Sequence, residues 1–166
     1  NIIDTPGHAD FSGEVERTLN MADGCLLIVD AQEGPMPQTK FVLSKALAAE
    51  LKPIVVINKI DKPAARIKEV EDELADLFLE LAVHEDQLHY PIYYASGRAG
   101  KSWENIPSNH EDVADLQPIF DSIISHVPAP EIELDKPFQM LVTALAWDSF
   151  KGKYAIGRIK RGQVKP

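Results

Sequence analysis

The chain is 166 residues long, enough for one domain and the opening of another, and carries 17 basic against 26 acidic residues for a net charge of −9. One cysteine, Cys25, excludes a disulfide framework within the chain and suits a reducing cytoplasm. No apolar run nears the roughly 18 residues of a membrane span, so a soluble cytoplasmic protein with no membrane partner is expected.

The chain opens Asn1-Ile2-Ile3-Asp4-Thr5-Pro6-Gly7-His8. Two apolar residues ending in Asp4 read as a strand tip. Pro6-Gly7 then forces a turn, because proline fixes φ and glycine tolerates positive φ. A helical pattern runs from about Glu14 to Ala22. Three later runs, Cys25 to Asp30, Pro53 to Asn58 and Tyr90 to Ser96, are apolar without strict alternation and end in polar residues, as strands buried on both faces do. Helical patterns lie between and after them: Gln38 to Leu51, then Ile67, Val70, Leu74, Leu77, Phe78 and Leu81 at spacings of three and four, then Leu116 to Val127. Strands alternating with helices specify a parallel sheet covered on both faces.

The pattern changes after Val127. Residues 128–137 hold three prolines and three acids and read as a linker. Phe138 to Ala146 and Tyr154 to Ile159 then read as strands around a turn at Asp148 to Gly152, the opening of an all-β domain. Charge divides along the same line. From Ser149 onward there are six basic residues (Lys151, Lys153, Arg158, Lys160, Arg161, Lys165) and no acid. Such a run can meet nucleic-acid phosphates or simply be a solvated face.

In open parallel sheets, ligands bind beyond the carboxyl ends of the strands, where Asp4, Asn58 and Ser96 are expected to converge. The segment Asn58-Lys59-Ile60-Asp61 follows its strand directly. A carboxylate at Asp61 can accept from both the N1–H and the N2 amine of guanine, a donor pair that adenine lacks. Asn58 can tie the loop, and the aliphatic stem of Lys59 can lie over the base. The plainer reading of the same four residues is a helix start capped by Asp61.

Asp4-Thr-Pro-Gly-His8, then Asn58-Lys-Ile-Asp61, then Ala95-Ser96-Gly97 together resemble the translational GTPases over essentially the whole chain. The resemblance implies GTP/GDP and Mg²⁺ as ligands. Asp4 would hold Mg²⁺ through water, the Gly7 N–H would bond the γ-phosphate, and His8 would orient the attacking water. Asn58, Lys59 and Asp61 would bind guanine, with Ser96 bracing Asp61 and the Gly97 N–H near O6; glycine there departs from the commoner alanine, but the backbone donor survives. The histidine form followed by Ala9-Asp10-Phe11 is similar to the ribosome-stimulated factors. His126-Val-Pro-Ala-Pro130, Pro137-Phe-Gln-Met140 and Gly157-Arg-Ile-Lys-Arg-Gly162 resemble most the TypA/BipA subfamily, with elongation factor G and LepA-type factors as alternatives.

On this reading residues 1–127 are part of a P-loop GTPase-type α/β domain, 128–137 a linker and 138–166 the start of a translation-factor β-barrel. The phosphate loop, first switch and first strand are expected upstream of Asn1. The ribosome, through rRNA and ribosomal proteins, is the implied partner, and the basic run is the candidate RNA contact. Two other readings stand beside this one. A non-catalytic module could dock on a partner through the acidic body and basic tail. Ala95-Ser-Gly-Arg-Ala-Gly-Lys101-Ser102 fits a relaxed phosphate-loop pattern, but such a loop must open a helix, and Pro107 leaves little room for one. Gly97 to Asp112 is therefore expected to be loop, with Lys101 outside the site.

Overall fold

A computed structural model describes residues 2–4, 12–130 and 133–165. They cluster into two compact units, residues 23–128 and residues 1–22 with 129–166. The described residues up to Ala22 therefore group with the C-terminal hairpin, whereas the sequence assigns them to the α/β body.

The larger unit is a four-stranded sheet, β1 (Gly24–Asp30), β2 (Lys52–Asn58), β3 (Ile92–Ser96) and β4 (Lys101–Trp103), paired in that order. The first three strands are parallel, and β4 returns antiparallel to β3. Three residues carry no periodicity, so β4 is invisible in the sequence, and the loop expected over Gly97 to Asp112 is corrected to a tight turn and a strand up to Trp103, while residues 104–112 are loop as expected. A strand rather than a helix after Gly100 also removes the phosphate-loop reading of that segment.

Helices α2 (Pro37–Ala48) and α3 (Ile67–Leu81) cover one face, where Leu27, Val29, Leu43, Leu47, Val55, Ile57, Val70, Leu74 and Phe78 are buried. The bounds of α3 are those of its apolar stripe. On the opposite face α4 (Gln117–His126) sets Ile119 against Val56 and Ala95. β2 is buried on both faces, as its unbroken Pro-Ile-Val-Val-Ile run requires. α2 stops three residues before its expected end. Glu50 turns left-handed (φ 59°), and the N–H groups of Glu50 and Leu51 bond back to Leu47 and Ala46, a Schellman closure.

β1 pairs only with β2 among the described residues, and its Leu26 and Ile28 are exposed. Residues 2–4 lie outside any strand and are exposed, Ile2 by 90%. The expected strand tip at Asp4 is thus corrected: two apolar residues without a neighbouring ladder have nothing to satisfy their backbone groups or bury their side chains.

In the second unit α1 (Ser12–Leu19) packs with a hairpin of β5 (Gln139–Asp148) and β6 (Gly152–Arg161). The two strands are longer than their apolar runs, with bulges at Gln139/Met140 and Val142/Ala144. No helix among the described residues is long and apolar enough to cross a membrane.

Candidate functional site

The register places Asp30, Asn58 and Ala95 level at the carboxyl ends of three parallel strands, with Ser96 one residue beyond. From that edge the chain folds back on itself. The Asn58 Oδ1 accepts the N–H of Lys59 at 2.8 Å and that of Gly97 at 2.9 Å, so one carboxamide ties the loop after β2 to the loop after β3. Lys59 takes a left-handed conformation (φ 64°), a strained choice for a residue with a Cβ. Next, Ile60 is buried, and its N–H reaches the Ala95 carbonyl at 3.2 Å. The turn delivers Asp61 to the surface, where its carboxylate accepts a hydrogen bond from the buried Ser96 hydroxyl. That bond, with smaller help from His110 and Lys62, holds the Asp61 carboxyl below the usual carboxylate range despite partial desolvation.

Asp30 is a member of this edge that sequence reasoning missed. Burial pushes its carboxyl up, but the Lys59 ammonium at 2.5 Å and the Gln32 N–H at 2.8 Å outweigh it and hold it below the usual range. The only signal was that its strand, like the other two, ends in a polar side chain. Behind it Arg66 donates to the carbonyls of Gln32 and Glu33 at 2.9 Å each and pairs with Glu73, which fixes the loop after β1.

The structure therefore brings together Asn58, Lys59, Asp61, Ser96 and Gly97. Two details differ from expectation. The Gly97 N–H, expected near a base oxygen, is engaged by Asn58, and the Lys59 head is engaged by Asp30. Asp4 falls in the other unit. Gly7 and His8 lie outside the described residues. The described residues contain no group of three or more His, Cys, Asp or Glu side chains that could hold a metal.

Of the basic run, Lys151, Lys153, Lys160 and Lys165 are exposed. Arg158 instead donates to the carbonyls of Met21 and Ala22, at 3.4 and 3.1 Å, capping the chain just beyond α1, and Arg161 is half-buried. The six residues do not form one free stripe.

Residues 1–129 match the family described as the elongation factor Tu GTP binding domain. The chain belongs to that family. The whole of this GTP-binding-family chain aligns with the large ribosomal subunit assembly factor BipA of Escherichia coli K12, 54% identical over 167 residues, and covers 27% of that protein. It is also 54% identical to BipA of Haemophilus influenzae, over 26% of that protein's length, and 51% identical to BipA of Synechocystis over 99% of this chain and 27% of the relative. The resemblance to TypA/BipA read from the sequence is borne out, and the chain spans about a quarter of the length of these relatives. Among solved structures, translation elongation factor SelB of Methanococcus maripaludis, in complex with the GTP analogue GppNHp, superposes with a TM-score of 0.69. It is 23% identical and covers 96% of this chain and 32% of its own. The GTPase-type α/β fold is shared.

Proposed function

We propose that this chain supplies the guanine-reading half of a ribosome-associated GTPase of the BipA kind. The observation that carries the reading is the Asp61 carboxylate, presented at the strand ends, held ionised by a buried serine and free on its outer side to accept the paired N1–H and N2 donors of guanine. Asn58 shapes the turn, Lys59 flanks the base with its stem, and the Gly97 N–H stands at the edge that the base oxygen approaches.

The reaction is in-line attack of water on the γ-phosphate, stabilised by backbone donors. His8 orients the water and the Gly7 N–H meets the γ-phosphate; Asp4 would hold Mg²⁺ through water, and the ion would supply charge stabilisation at the phosphate. Loss of the phosphate releases the segment after Asp4, and the ribosome reads that change. The exposed lysines 151, 153, 160 and 165 meet rRNA phosphates, with Arg158 and Arg161 as secondary contacts. The protein works in the cytoplasm.

The test is Asp61→Asn in the full-length protein. An amide there sets a donor against the guanine N2 amine but faces the carbonyl that xanthine carries instead. Affinity is expected to move from GTP to xanthosine triphosphate, with ATP excluded throughout. Loss of GTP binding together with thermal stability, unrescued by XTP, would make Asp61 a structural cap.

A further inference from the structure

With the phosphate-loop reading removed, the polar groups of Lys101 and Ser102 need another account, and each has its partner in the loop 104–115. Ser102, only 2% exposed, donates both its N–H and its hydroxyl to the Asp115 carbonyl at 2.8 Å. The Lys101 ammonium donates to three successive carbonyls, those of His110, Glu111 and Asp112, at 3.2, 3.1 and 2.8 Å. Three carbonyl dipoles aimed at one point repel each other unless a cation sits there, so the ammonium sets the curvature of that arc.

The arc is not remote from the base site. It carries His110, whose ring meets Trp103 of β4 edge-on with centroids 6.3 Å apart, and which is among the lesser groups that help hold the Asp61 carboxyl below its ordinary range. On its other side Lys101 pairs through the β3–β4 ladder with Ser96, the residue whose hydroxyl holds Asp61. The charged and polar groups acting on Asp61 are thus Ser96, its own backbone N–H, His110 and Lys62. Lys101 is linked to Ser96 through main chain and to His110 through its side chain.

We propose that Lys101 is a positioning residue for guanine recognition, gathering the carbonyls of residues 110–112 so that the loop 104–115 stands as a fixed wall beside Asp61. The proposal rests on Asp61 as the guanine acceptor. Lys101 touches no part of the nucleotide. It limits the positions open to His110 and so the water that competes with the base for the carboxylate.

The experiment uses the full-length protein with Lys101→Met, Lys101→Arg, His110→Ala and the Lys101→Met/His110→Ala double variant, measured beside Asp61→Asn. GDP affinity, the KM and kcat for GTP, and thermal stability are recorded for each. Lys101→Met is expected to weaken GDP about tenfold, the low end for losing charge-assisted hydrogen bonds. The loss should fall in KM while kcat at saturation is kept. Lys101→Arg should recover most of it, and the double variant should bind no more weakly than Lys101→Met, since both act through one wall. Wild-type GDP affinity in Lys101→Met overturns the proposal whatever happens to stability, because the clamp then serves the loop alone. Should Lys101→Met fail to fold, His110→Ala decides: several-fold weaker GDP supports the wall, and unchanged affinity refutes it. If Asp61→Asn accepts XTP while Lys101→Met binds normally, only this proposal falls. If Asp61→Asn keeps its preference for GTP, the base reading falls and this proposal with it.

Discussion

Replacing Asn58 tests how the turn that presents Asp61 is held. Its Oδ1 accepts two backbone N–H groups, at 2.8 and 2.9 Å, one of them from Lys59 in its left-handed conformation. Asn58→Ala removes the one oxygen that accepts both. At about 1 kcal/mol per neutral hydrogen bond the upper limit is about 2 kcal/mol, and water at this half-exposed edge reduces it to about 1 kcal/mol. The consequence for binding is larger. A left-handed residue costs about 1–2 kcal/mol, and without its bond to Asn58 Lys59 can relax and carry Asp61 out of place. Asn58→Ala is therefore expected to lower stability by about 1 kcal/mol and guanine-nucleotide affinity by considerably more than the same free energy. Asn58→Asp keeps an oxygen for both N–H groups and should keep the stability while losing only what the amide N–H₂ gives the base. Lys59→Gly removes the left-handed strain together with the ion pair that the solvent-exposed Lys59 head makes with Asp30, two opposing changes, so its stability should barely change. Chemical denaturation and nucleotide titration of the full-length variants measure both quantities. Equal stability loss in Asn58→Ala and Asn58→Asp, with equal nucleotide affinity, would refute the reasoning, because the shared acceptor would then be irrelevant.

Burial pushes the Cys25 thiol from its ordinary 9.0 up to about 11, so at neutral pH its thiolate fraction, and its alkylation rate by iodoacetamide, should be about 100-fold below that of the unfolded chain. The folded state then holds its proton longer than the unfolded one, so this thiol lowers stability as pH rises from 9 towards 11 and leaves it unchanged below 9; a flat profile in that window for wild type against Cys25→Ala would contradict it. Gly157 faces Leu141 and Val142 across the β5–β6 ladder, where an added Cβ would run into the Leu141 carbonyl and come within 2.9 Å of the Val142 Cα. Gly157→Ala should cost about 1–3 kcal/mol and open the hairpin to limited proteolysis, with an unchanged cleavage pattern as the opposing result.

What the sequence made legible was set by local chemistry. The three and four spacing of Ile67 to Leu81 marks α3 to the residue, and the Pro-Ile-Val-Val-Ile run marks a strand buried on both faces. Asn58, Asp61 and Ser96 could be placed at one edge because parallel strands end there. The misses are interactions between distant residues. Nothing local says that Lys59 pairs with Asp30, 29 residues away, that Arg158 caps carbonyls 136 and 137 residues earlier, or that Lys101 gathers the 110–112 carbonyls. β4 was missed because three residues are too short to show a period, and its existence depends on β3 offering an edge. Residues 2–4 show the converse: an apolar pair reads as a strand but forms one only beside a partner ladder.

The central claim is that Asp61 reads the N1–H and N2 donors of guanine, and the most direct measurement compares GTP with inosine triphosphate, which lacks only the N2 amine. In the full-length wild type, GTP should bind at least about tenfold more tightly, the equivalent of one hydrogen bond to a charged acceptor at about 1.5 kcal/mol. In Asp61→Ala the two nucleotides should bind equally. A GTP preference that survives in Asp61→Ala would contradict the account, because the N2 amine would then be read by another group.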